Sequence, residues 1–413
     1  MLLKSYVRQH AKGSVLDIGT GSGIQAITAA KSRKVKKIIA TDIQRSIINY
    51  NKKNIKNKKI TFIISDLFQI FKRNKNLMNK KFDTIIFNPP YLPQELKLKD
   101  LTLEGGKKGY EVIEKFLNKV NDFLKTNGII LIIFSSLTKK EKIDEFIKNN
   151  LLDFKELTKK HIFFEDLYVY KINKSAILKN LEQKGIRNLR YFAKGKRGFI
   201  FTGNYKNKKV AVKIKNPESR AIFRINNETN FLKILNKKNI GPKLLFSDKD
   251  YLIYEFVDGY FINDYLKINE KENIKRMLKN IFEQLFVMDK LKINKEEMSH
   301  PVKHIIINKK KPVLIDFERA HHTIKPGNVT QFCDFLISNN IKTALKNNKI
   351  KIDNKKVITL AKKYKKNINK NNLNKIINEF KWKMVTKFQK RVYELSKKVP
   401  KGRVTTYKAI CKK

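Results

Sequence analysis

The chain has 413 residues, and its 92 Lys and Arg against 37 Asp and Glu give a net charge of +55. At roughly 150 residues per domain, this length predicts two or three domains, and the 41% hydrophobic content excludes a wholly disordered chain. The charge suits a polyanionic partner such as nucleic acid. Because the surplus is mostly Lys and runs with Asn and Ile along the whole chain, it also fits a general compositional bias. Charge alone therefore assigns no function.

The cysteine content and the apolar stretches indicate the compartment. Cys333 and Cys411 are too few for a disulfide framework or a thiolate zinc site, which favours a reducing environment. The N-terminal sequence lacks the apolar core of a signal peptide. The longest apolar stretch, at 128–134, is far shorter than the roughly 20 residues that span a bilayer. We expect a cytoplasmic protein with no membrane partner.

Residues 1–172 alternate short apolar strands with helical stretches. The predicted strands are SVLDIG, KIIATDI, ITFIISD, FDTIIFNPP, GIILIIFSS and LYVYKI, and the predicted helices are 22–31, 45–54, 109–125 and 139–149. Nearly all-apolar strands that alternate with helices are typical of a mostly parallel sheet covered on both faces. We therefore predict a first α/β domain with a Rossmann-like sheet.

From about residue 175 the pattern becomes α+β. GFIFTGNY and KKVAVKIK predict an antiparallel strand pair, and the strand YLIYEFV and the strands KHIII and PVLIDF follow, with helices at 218–236 and 274–292. A Lys/Asn-rich stretch predicts linking amphipathic helices, and a new pattern begins near the C-terminus. The predicted domains are 1–172, 175–344, 345–384 and 385–413.

The first candidate site lies where predicted strands end. The D-x-G-x-G-x-G spacing in VLDIGTGSGI is a strand-to-helix turn in which glycines let the backbone approach a ligand, and it consists of Asp17, Gly19, Gly21 and Gly23. Asp42 ends the second strand, where a carboxylate accepts hydrogen bonds from ribose hydroxyls, and Asp66 ends the third, where it can contact an adenine amine. A dinucleotide fingerprint would need Gly at position 24, which is Ile. The spacing instead resembles motif I of S-adenosylmethionine-dependent methyltransferases, which implies that cofactor.

The sequence FNPPY at 87–91 ends the fourth predicted strand. The side-chain oxygen of Asn88 and the carbonyl of Pro89 can accept two hydrogen bonds from one NH₂ group, and proline fixes their geometry. Tyr91 offers a flat face to a planar amide or base. Two acceptors on the hydrogens of a delocalised nitrogen offset the positive charge that grows during methyl transfer. Asn88, Pro89 and Tyr91 are therefore the candidate catalytic residues, and the reaction needs neither a metal nor a covalent intermediate.

This NPPY signature resembles two families, the adenine amino-methyltransferases and the HemK-type protein-glutamine methyltransferases. EGGKKGYEVIEKFL at 104–117 and HIFFEDLYVYKI at 161–172 resemble the compact archaeal and eukaryotic branch of the second family. That branch modifies the Gly-Gly-Gln glutamine of class I release factors, often with a small zinc-containing partner subunit. The resemblance implies a class I methyltransferase fold, a release-factor substrate and such a partner. Adenine methylation of DNA or RNA stays the alternative, which the positive charge would suit.

The start of the chain departs from this family. Only about 14 residues precede VLDIG, where family members usually have a longer segment with an acid and a hydroxyl residue near the cofactor. A shortened or misplaced chain start, with an effect on cofactor affinity, is therefore one expectation from the sequence.

A second set of motifs lies between residues 175 and 340. AKGKRGFIFTGNYKNKKVAVKIK places glycines on a predicted hairpin, followed by Lys213, and the glycines are Gly195, Gly198 and Gly203. Glycine backbone amides can cover phosphates that a lysine on the next strand neutralises. Glu228, on the following predicted helix, can pair with Lys213. YEFVDG resembles an adenine-binding hinge strand, and VLIDFE resembles a metal-binding DFG segment with Asp316 as the magnesium ligand. In this order the motifs resemble the protein-kinase superfamily, close to archaeal RIO-like and predicted serine/threonine kinases, which implies ATP and Mg²⁺ as ligands.

The segment that corresponds to the kinase catalytic loop departs from the usual H-R-D sequence. In EEMSHPVKHIII, Ser299 falls near the usual Asp position and His304 near the usual Asn position, and either Glu296 or Glu297 is a substitute base. An active kinase and a weak or degenerate one are both open. The histidines in this stretch match no standard zinc ligand spacing and are expected on loops or at the surface: His300, His304, His321 and His322.

The segment KFQKRVYELSKKVPKGRVTTYKAI at 387–410 resembles the start of the DNA-binding domain of methylated-DNA–protein-cysteine methyltransferases. In that resemblance Tyr407 matches the tyrosine that helps to rotate a nucleotide out of the duplex. The family's Pro-Cys-His-Arg nucleophile does not follow, and Cys411 lacks its context. About 27 residues do not build an independent domain, so we expect a truncated or vestigial piece that cannot repair DNA alone. A third interpretation is thus a regulatory protein with a degenerate kinase and a nucleic-acid-binding tail.

Overall fold

The computed structural model describes residues 2–90, 105–195, 198–215, 224–348, 350, 352–380, 391, 394 and 395. The chain divides into two compact units, residues 1–219 and 220–413. The predicted domain boundaries stay predictions. Within the ranges that the structure describes, no helix is both long and apolar enough to cross a membrane.

The first unit is built on a sheet of seven described strands with helices between them. The strands are β1 (Gly13–Ile18), β2 (Val35–Asp42), β3 (Ile60–Ile64), β4 (Phe82–Phe87), β5 (Leu124–Ser135), β6 (Leu152–Ile162) and β7 (Glu165–Lys174). The helices are α1 (Leu2–His10), α2 (Ile24–Ala30), α3 (Arg45–Asn54), α4 (Ile70–Arg73), α5 (Glu111–Val120), α6 (Lys140–Asn149) and α7 (Ala176–Gln183). The sheet order is β3-β2-β1-β4-β5-β7-β6.

Strands β1 to β5 pair in parallel, and β7 and β6 complete the sheet in antiparallel orientation. The predicted mostly parallel sheet is confirmed. Strand β1 lies in the middle, with Ile18 in register with Thr41 of β2 and with Phe87 of β4. Because the strand order reverses at β1, the ends of β1, β2 and β4 form a crevice at one edge, the usual place for a ligand in such sheets.

Aromatic packing fixes the end of β4. Phe87, the last residue of the strand, is fully buried and lies with its ring centroid 4.4 Å from that of Phe116 on α5. Phe116 in turn stacks on Phe68, which stacks on Phe123 at 4.4 Å. Rings packed in this way resist displacement, so the residue that follows Phe87 starts from a fixed position.

The sequence predicted most of these elements but missed β6. Most of its residues are polar, three of them Lys, because β6 is an edge strand whose side chains are largely exposed. The predicted helix at 109–125 is shorter in the structure, because the chain turns at 121–123 and enters β5 at Leu124.

An antiparallel meander of β8 (Arg187–Lys194), β9 (Gly198–Tyr205) and β10 (Lys208–Lys215) completes the described part of the first unit. The second unit is mostly helical: α8 (Arg224–Asn236), α9 (Ile262–Ile268), α10 (Lys271–Lys290), α11 (Asn328–Ile337), α12 (Asn339–Asn347), α13 (Asn354–Lys366) and α14 (Lys370–Glu379). Its strands are β11 (Leu244–Ser247), β12 (Tyr251–Glu255), β13 (Tyr260–Phe261), β14 (Ile293–Asn294), β15 (Ile305–Asn308), β16 (Lys311–Leu314) and β17 (His321–His322). Its core surrounds α10, from Ile274 to Met288.

A buried ion pair joins the end of β7 to α7. The Lys174 ammonium is fully buried and donates to Oε1 of Glu182 at 2.5 Å and to the carbonyl of Asn121 at 3.2 Å. Burial lowers the pKa of Lys174, against the stabilising effect of Glu182. A buried charge is destabilising unless a partner of opposite charge compensates it. Because Lys174 ends β7 and Glu182 lies on α7, this pair connects the sheet to the segment that leads into β8.

We expect Glu182→Ala to lower the free energy of unfolding by about 3–5 kcal/mol, because it leaves a buried ammonium uncompensated. The double variant Lys174→Met/Glu182→Leu should change it by less than about 1 kcal/mol, since apolar groups of similar volume fill the same space. Urea denaturation followed by circular dichroism measures both. Glu145→Ala, which removes the partner of exposed Lys142, is the control and should leave the midpoint unchanged. Equal losses in the single and double variants would contradict the assigned role.

Candidate active site

The loop after β1 is held by a buried carboxylate. Asp17 is 1% exposed, and its Oδ2 accepts hydrogen bonds from the Thr20 hydroxyl at 2.6 Å and from the Ala26 amide at 3.1 Å. Burial raises the pKa of Asp17 to about 7; these two hydrogen bonds act against that rise, and the charge of Asp42 adds to it. Asp17 therefore shapes the loop from inside by tying its middle to the first turn of α2.

Three glycines of this loop take conformations that side chains rarely adopt, with φ of +63° at Gly19, +49° at Gly21 and +75° at Gly23. A Cβ atom at Gly21 would meet nothing within 4 Å. At Gly23 it would lie 2.8 Å from a methyl carbon of Ile55. The first two glycines thus leave open space above the loop, and the third allows close packing behind it.

Asp42, at the end of β2, faces the same loop. Its Oδ2 accepts a hydrogen bond from the Gly21 amide and its Oδ1 one from the Gln44 amide, both at 3.0 Å. Each carboxylate oxygen accepts two hydrogen bonds, so both retain capacity for ligand hydroxyls. Asn51 of α3 donates to the Gly21 carbonyl at 2.7 Å, which fixes the loop from the other side.

Asp66 lies two residues after the end of β3, the strand next to β2. It is exposed, and its Oδ2 accepts a hydrogen bond from the side-chain amide of Gln69 at 2.6 Å. The neighbouring Ser65 amide donates to the Asp42 carbonyl at 2.9 Å. Asp17 and Asp42 therefore lie in the last two residues of their strands and Asp66 just after β3, at the ends of three adjacent strands on one edge of the sheet.

Asn88 comes next to the glycine loop. A Cβ atom at Gly19 would lie 3.9 Å from the Asn88 carbonyl oxygen and 4.0 Å from the ring of Phe87. Asn88 is exposed and Pro89 is buried, so the asparagine side chain is accessible while its backbone is held. A Cβ at Gly105 would lie 2.8 Å from the Pro90 carbonyl, which places the GGKKGY turn against the same segment. Tyr91 lies outside the described residues.

Thr20, Gln44 and Asn51 contribute to this site and were not predicted from the sequence. Thr20 had only a weak indication in the sequence, since it lies between the motif glycines Gly19 and Gly21. Nothing in the sequence indicated Asn51, because asparagine is frequent throughout the chain. A depression of about 460 Å³ borders the loop on the α3 side, lined by Gly21, Ser22, Ser46, Ile47, Tyr50 and Asn51. It contains neither Asp17 nor Asn88, so it is separate from the crevice at the strand ends.

The three glycines of the second motif set lie on or beside strands of the β8–β9–β10 meander. The Gly195 amide donates to the Gly198 carbonyl at 2.9 Å. A Cβ at Gly198 would lie 2.6 Å from the Ile214 carbonyl oxygen, and one at Gly203 would lie 3.0 Å from the Arg187 carbonyl oxygen. The glycines therefore permit close strand packing. Lys213 is half-buried on β10, opposite Ile200 of β9.

In the second unit, several side chains surround Asp316, whose φ is +63°. Glu228 of α8 is 2% exposed and accepts a hydrogen bond from the Phe317 amide at 3.2 Å. Lys295 is fully buried, donates to the Asp316 carbonyl and pairs with Oε2 of Glu297 at 3.1 Å. These contacts hold the Asp316 turn from two sides.

The two candidate bases separate in the structure. Glu297 pairs with Lys295, which donates to the Asp316 carbonyl. Oε1 of Glu296 instead lies 3.7 Å from Nδ1 of His321. His304 places Nδ1 3.8 Å from Oδ2 of Asp316, and burial, followed by the charge of Lys295, lowers the pKa of His304.

Other residues predicted from the sequence are Ser299, Tyr407 and Cys411. Ser299 contacts the ring of His300 at 3.2 Å. Among the residues that the structure describes, no group of three or more His, Cys, Asp and Glu is arranged to hold a metal ion. Tyr407 and Cys411 lie outside the described residues.

The parallel sheet with its strand reversal at β1, the glycine loop and the acids at successive strand ends define a Rossmann-like methyltransferase fold. A family model described as methyltransferase small domain matches residues 1–164. A Methanocaldococcus jannaschii protein with the provisional name protein N5-glutamine methyltransferase is 38% identical over 153 residues, which are 35% of this chain and 73% of that protein. The chain belongs to the methyltransferase small-domain family, and S-adenosylmethionine is its methyl donor.

Other relatives match over a smaller share of their length. A release factor glutamine methyltransferase of Streptococcus pneumoniae is 30% identical over 129 residues, 28% of this chain and 44% of that protein. The chain thus spans less than half the length of that relative. Among solved structures, the E. cuniculi Mtq2–Trm112 complex, titled for the methylation of the eRF1 translation termination factor, is similar over 42% of this chain and 93% of that chain. Its identity is 21% and its TM-score 0.34, too low to support an argument about function.

We expect the stability of the first unit to fall between about pH 4 and pH 7, the range between the unfolded pKa of an aspartate and the folded pKa of Asp17, about 7. In that range the folded state keeps a proton that the unfolded chain has lost, so rising pH favours unfolding. Asp17→Asn cannot ionise and should show a flatter profile. Urea midpoints from pH 4.5 to 8 measure this, with exposed Asp66→Asn as the control that keeps the wild-type slope. Parallel profiles for wild type and Asp17→Asn would contradict the argument.

Proposed function

We propose that the first domain transfers the methyl group of S-adenosylmethionine to the side-chain amide of a protein glutamine, that of the Gly-Gly-Gln sequence of a translation release factor. The observation that carries this proposal is the proximity of the glycine loop to the NPPY segment, since a Cβ atom at Gly19 would lie 3.9 Å from the Asn88 carbonyl oxygen. The exposed Asn88 side chain and the carbonyl of the buried Pro89 thereby lie beside the cofactor loop. The names of the relatives point to glutamine as the acceptor.

The residues present fit the donor. Open space above Gly21 admits a ligand against the backbone, and the Asp42 carboxylate retains lone pairs for ribose hydroxyls. Asp66 is exposed at the next strand end, where an adenine amine can donate to it. When bound, S-adenosylmethionine supplies an electrophilic methyl group on a sulfonium.

Asn88 and Pro89 act on the acceptor. The Asn88 side-chain oxygen and the Pro89 carbonyl each accept one hydrogen of the glutamine NH₂, which draws the nitrogen lone pair out of the amide and toward the methyl carbon. As the nitrogen–carbon bond forms and the carbon–sulfur bond breaks, the same two oxygens stabilise the positive charge on nitrogen. The nitrogen then loses one proton to solvent. Buried Pro89 keeps its carbonyl in place during this step.

Two features of the proposal come from the sequence resemblance: the release-factor substrate and a small zinc-containing partner subunit. Assays are therefore designed with and without such a subunit. The competing acceptor is adenine in DNA or RNA, which presents a similar NH₂ group on a flat ring and which the net charge of +55 favours. The acceptor, not the site, distinguishes the two.

We expect Asn88→Ala to lower kcat by at least about 10²-fold, because one of two acceptors on the reacting amine is lost. Transfer of labelled methyl to a release-factor fragment with Gly-Gly-Gln, to duplex DNA and to structured RNA measures this. Affinity for S-adenosylmethionine, by calorimetry, should stay unchanged, since Asn88 faces the acceptor. Asn76→Ala, an exposed asparagine before β4, should match wild type. Label on nucleic acid alone would replace glutamine by adenine, and undiminished transfer by Asn88→Ala would remove the assigned role.

We also propose that the kinase-like segment binds ATP with Mg²⁺, with Asp316 as the metal ligand. The support is the geometry around Asp316, where Glu228 and Lys295 each hold the backbone of this turn. Glu297 is the base in this proposal, because Lys295 connects it to the turn, whereas Glu296 faces outward. The alternative is a module that binds ATP without phosphotransfer. A Glu297 variant that keeps ATP binding distinguishes the two, because it lowers phosphotransfer only if Glu297 is a base.

We expect Asp316→Asn to weaken ATP binding in the presence of Mg²⁺ by more than about tenfold, since the metal loses a charged ligand. Affinity without Mg²⁺ should change little. Titration with a fluorescent ATP analogue in Mg²⁺ and in EDTA measures both, and exposed Asp264→Asn on α9 is the control. Retained Mg²⁺-dependent binding in Asp316→Asn would show that another group holds the metal.

A further inference from the structure

Strands β6 and β7 are joined by a two-residue turn of Phe163 and Phe164. Ile162 pairs directly with Glu165, so these two residues alone form the connection. Phe163 is 87% exposed and Phe164 98%, the two highest values among the large hydrophobic residues that the structure describes. We call this feature the aromatic tip. Two adjacent, fully solvated aromatic rings do not contribute to any core, so folding does not explain them.

The turn geometry does not explain them either. Phe163 has φ of +51°, in the left-handed region. Two-residue hairpin turns of types I′ and II′ need positive φ at the first position, which is why asparagine or glycine is usual there. Phenylalanine is unfavourable in that conformation. Local strain in an exposed residue with no packing role points to a function outside the fold.

The aromatic tip is held firmly. Asp166, the second residue of β7, forms an ion pair with Lys159 at 2.9 Å, and its Oδ1 lies within hydrogen-bond distance, 3.0 Å, of Nδ1 of His161, both on β6. Its amide donates to the Ser136 hydroxyl at 3.0 Å. The two rings are thus presented on a braced hairpin, which lowers the entropy lost when they are fixed in a complex.

The aromatic tip projects from the edge of the sheet that carries Asn88. Ile132 of β5 is in register with Phe87 of β4 on one side and with Tyr170 of β7 on the other. Phe163 is seven positions from Tyr170, so at about 3.3 Å per residue it extends about 20 Å beyond Asn88, displaced sideways by two strand spacings of about 4.8 Å. The tip is too distant to contact the reacting amide but is on the side from which an acceptor approaches.

The charge around the aromatic tip favours a protein over a nucleic acid. From Lys159 to Asp166 the hairpin end carries two lysines, Lys159 and Lys160, and two acids, Glu165 and Asp166, which sum to zero in a chain of net charge +55. A surface that binds single-stranded nucleic acid combines aromatic rings with excess positive charge. Neutral surroundings with exposed aromatic side chains are typical of the centre of a protein–protein interface.

We propose that the aromatic tip docks the folded acceptor protein, with Phe163 and Phe164 entering an apolar pocket on its surface about 20 Å from the glutamine that reaches Asn88. This inference rests on the proposed function, since it gives the substrate a second contact with the same domain. The docked partner is a folded protein with an apolar depression, because a short peptide cannot reach both places: five extended residues span about 17 Å.

The test is the double variant Phe163→Gly/Phe164→Ser in the full chain, which removes both rings and suits the turn better than wild type. Two probes are used, a folded release-factor domain with Gly-Gly-Gln and a five-residue peptide with the same sequence. For the folded domain we expect KM and the directly measured dissociation constant to rise about tenfold, a typical loss for an aromatic anchor, with kcat unchanged. For the peptide we expect both KM and kcat to be unchanged. Phe192→Asn, an exposed aromatic residue on β8, is the control.

The outcomes separate this inference from the proposed function. Equal affinity of wild type and double variant for the folded domain overturns docking, whether or not methyl is transferred. Weaker binding by the variant, with no transfer to either probe by wild type, supports docking and overturns glutamine methylation. Equal losses for peptide and domain also overturn docking, because they indicate a disturbed active site. Loss of affinity for a single-stranded oligonucleotide, with protein binding unchanged, would assign the aromatic tip to nucleic acid.

Discussion

The active site depends on the pairing of β1 with both β2 and β4. Because β1 lies between them in parallel, Ile18 is in register with Thr41 and with Phe87. The residues at the ends of these strands are thereby neighbours, and hydrogen bonds such as that from the Gly21 amide to Oδ2 of Asp42 hold them together. The Gly19 position lies near the Asn88 carbonyl for this reason, since a Cβ atom there would be 3.9 Å from the carbonyl oxygen. A shift of one residue in the β1–β4 register would turn the strand side chains to the opposite faces. Phe87, packed on Phe116, opposes such a shift.

The acids at the strand ends have different roles although their sequence positions are similar. Asp17 is buried, and its Oδ2 is already used by Thr20 and Ala26, so it shapes the loop. Asp42 also contacts backbone amides but lies where the loop opens at Gly21. Asp66 is exposed. The series from buried to exposed follows the strand order outward from β1, as expected if the ligand lies across the strand ends.

The sequence was sufficient where the physical signal was strong. Nearly all-apolar strands predicted the parallel sheet, and the acids Asp17, Asp42 and Asp66 lie at ends of its strands, while the site that they were predicted to form stays a prediction. Strand β6 was missed because an edge strand needs few apolar side chains, and its Lys and Glu residues resemble the rest of the chain. Glu296 and Glu297 could not be separated from the sequence, since adjacent residues in a short 3₁₀ turn point in different directions. Their separation required the position of Lys295.

Lysine and asparagine are so common in this chain that their presence alone carries little information, which makes departures from the bias the useful observations. Lys295 is one such departure, because it is fully buried and its ammonium lies 5.2 Å from the centre of the Phe317 ring. A buried ammonium is costly unless it is paired, so its retention beside Asp316 indicates that the position of this turn matters. The neutral surroundings of Phe163 and Phe164 are a departure of the opposite kind. In a chain of net charge +55, these two exposed aromatic rings lie among balanced charges and so depart from the Lys-rich composition. The proposed binding role gives a physical reason for this departure.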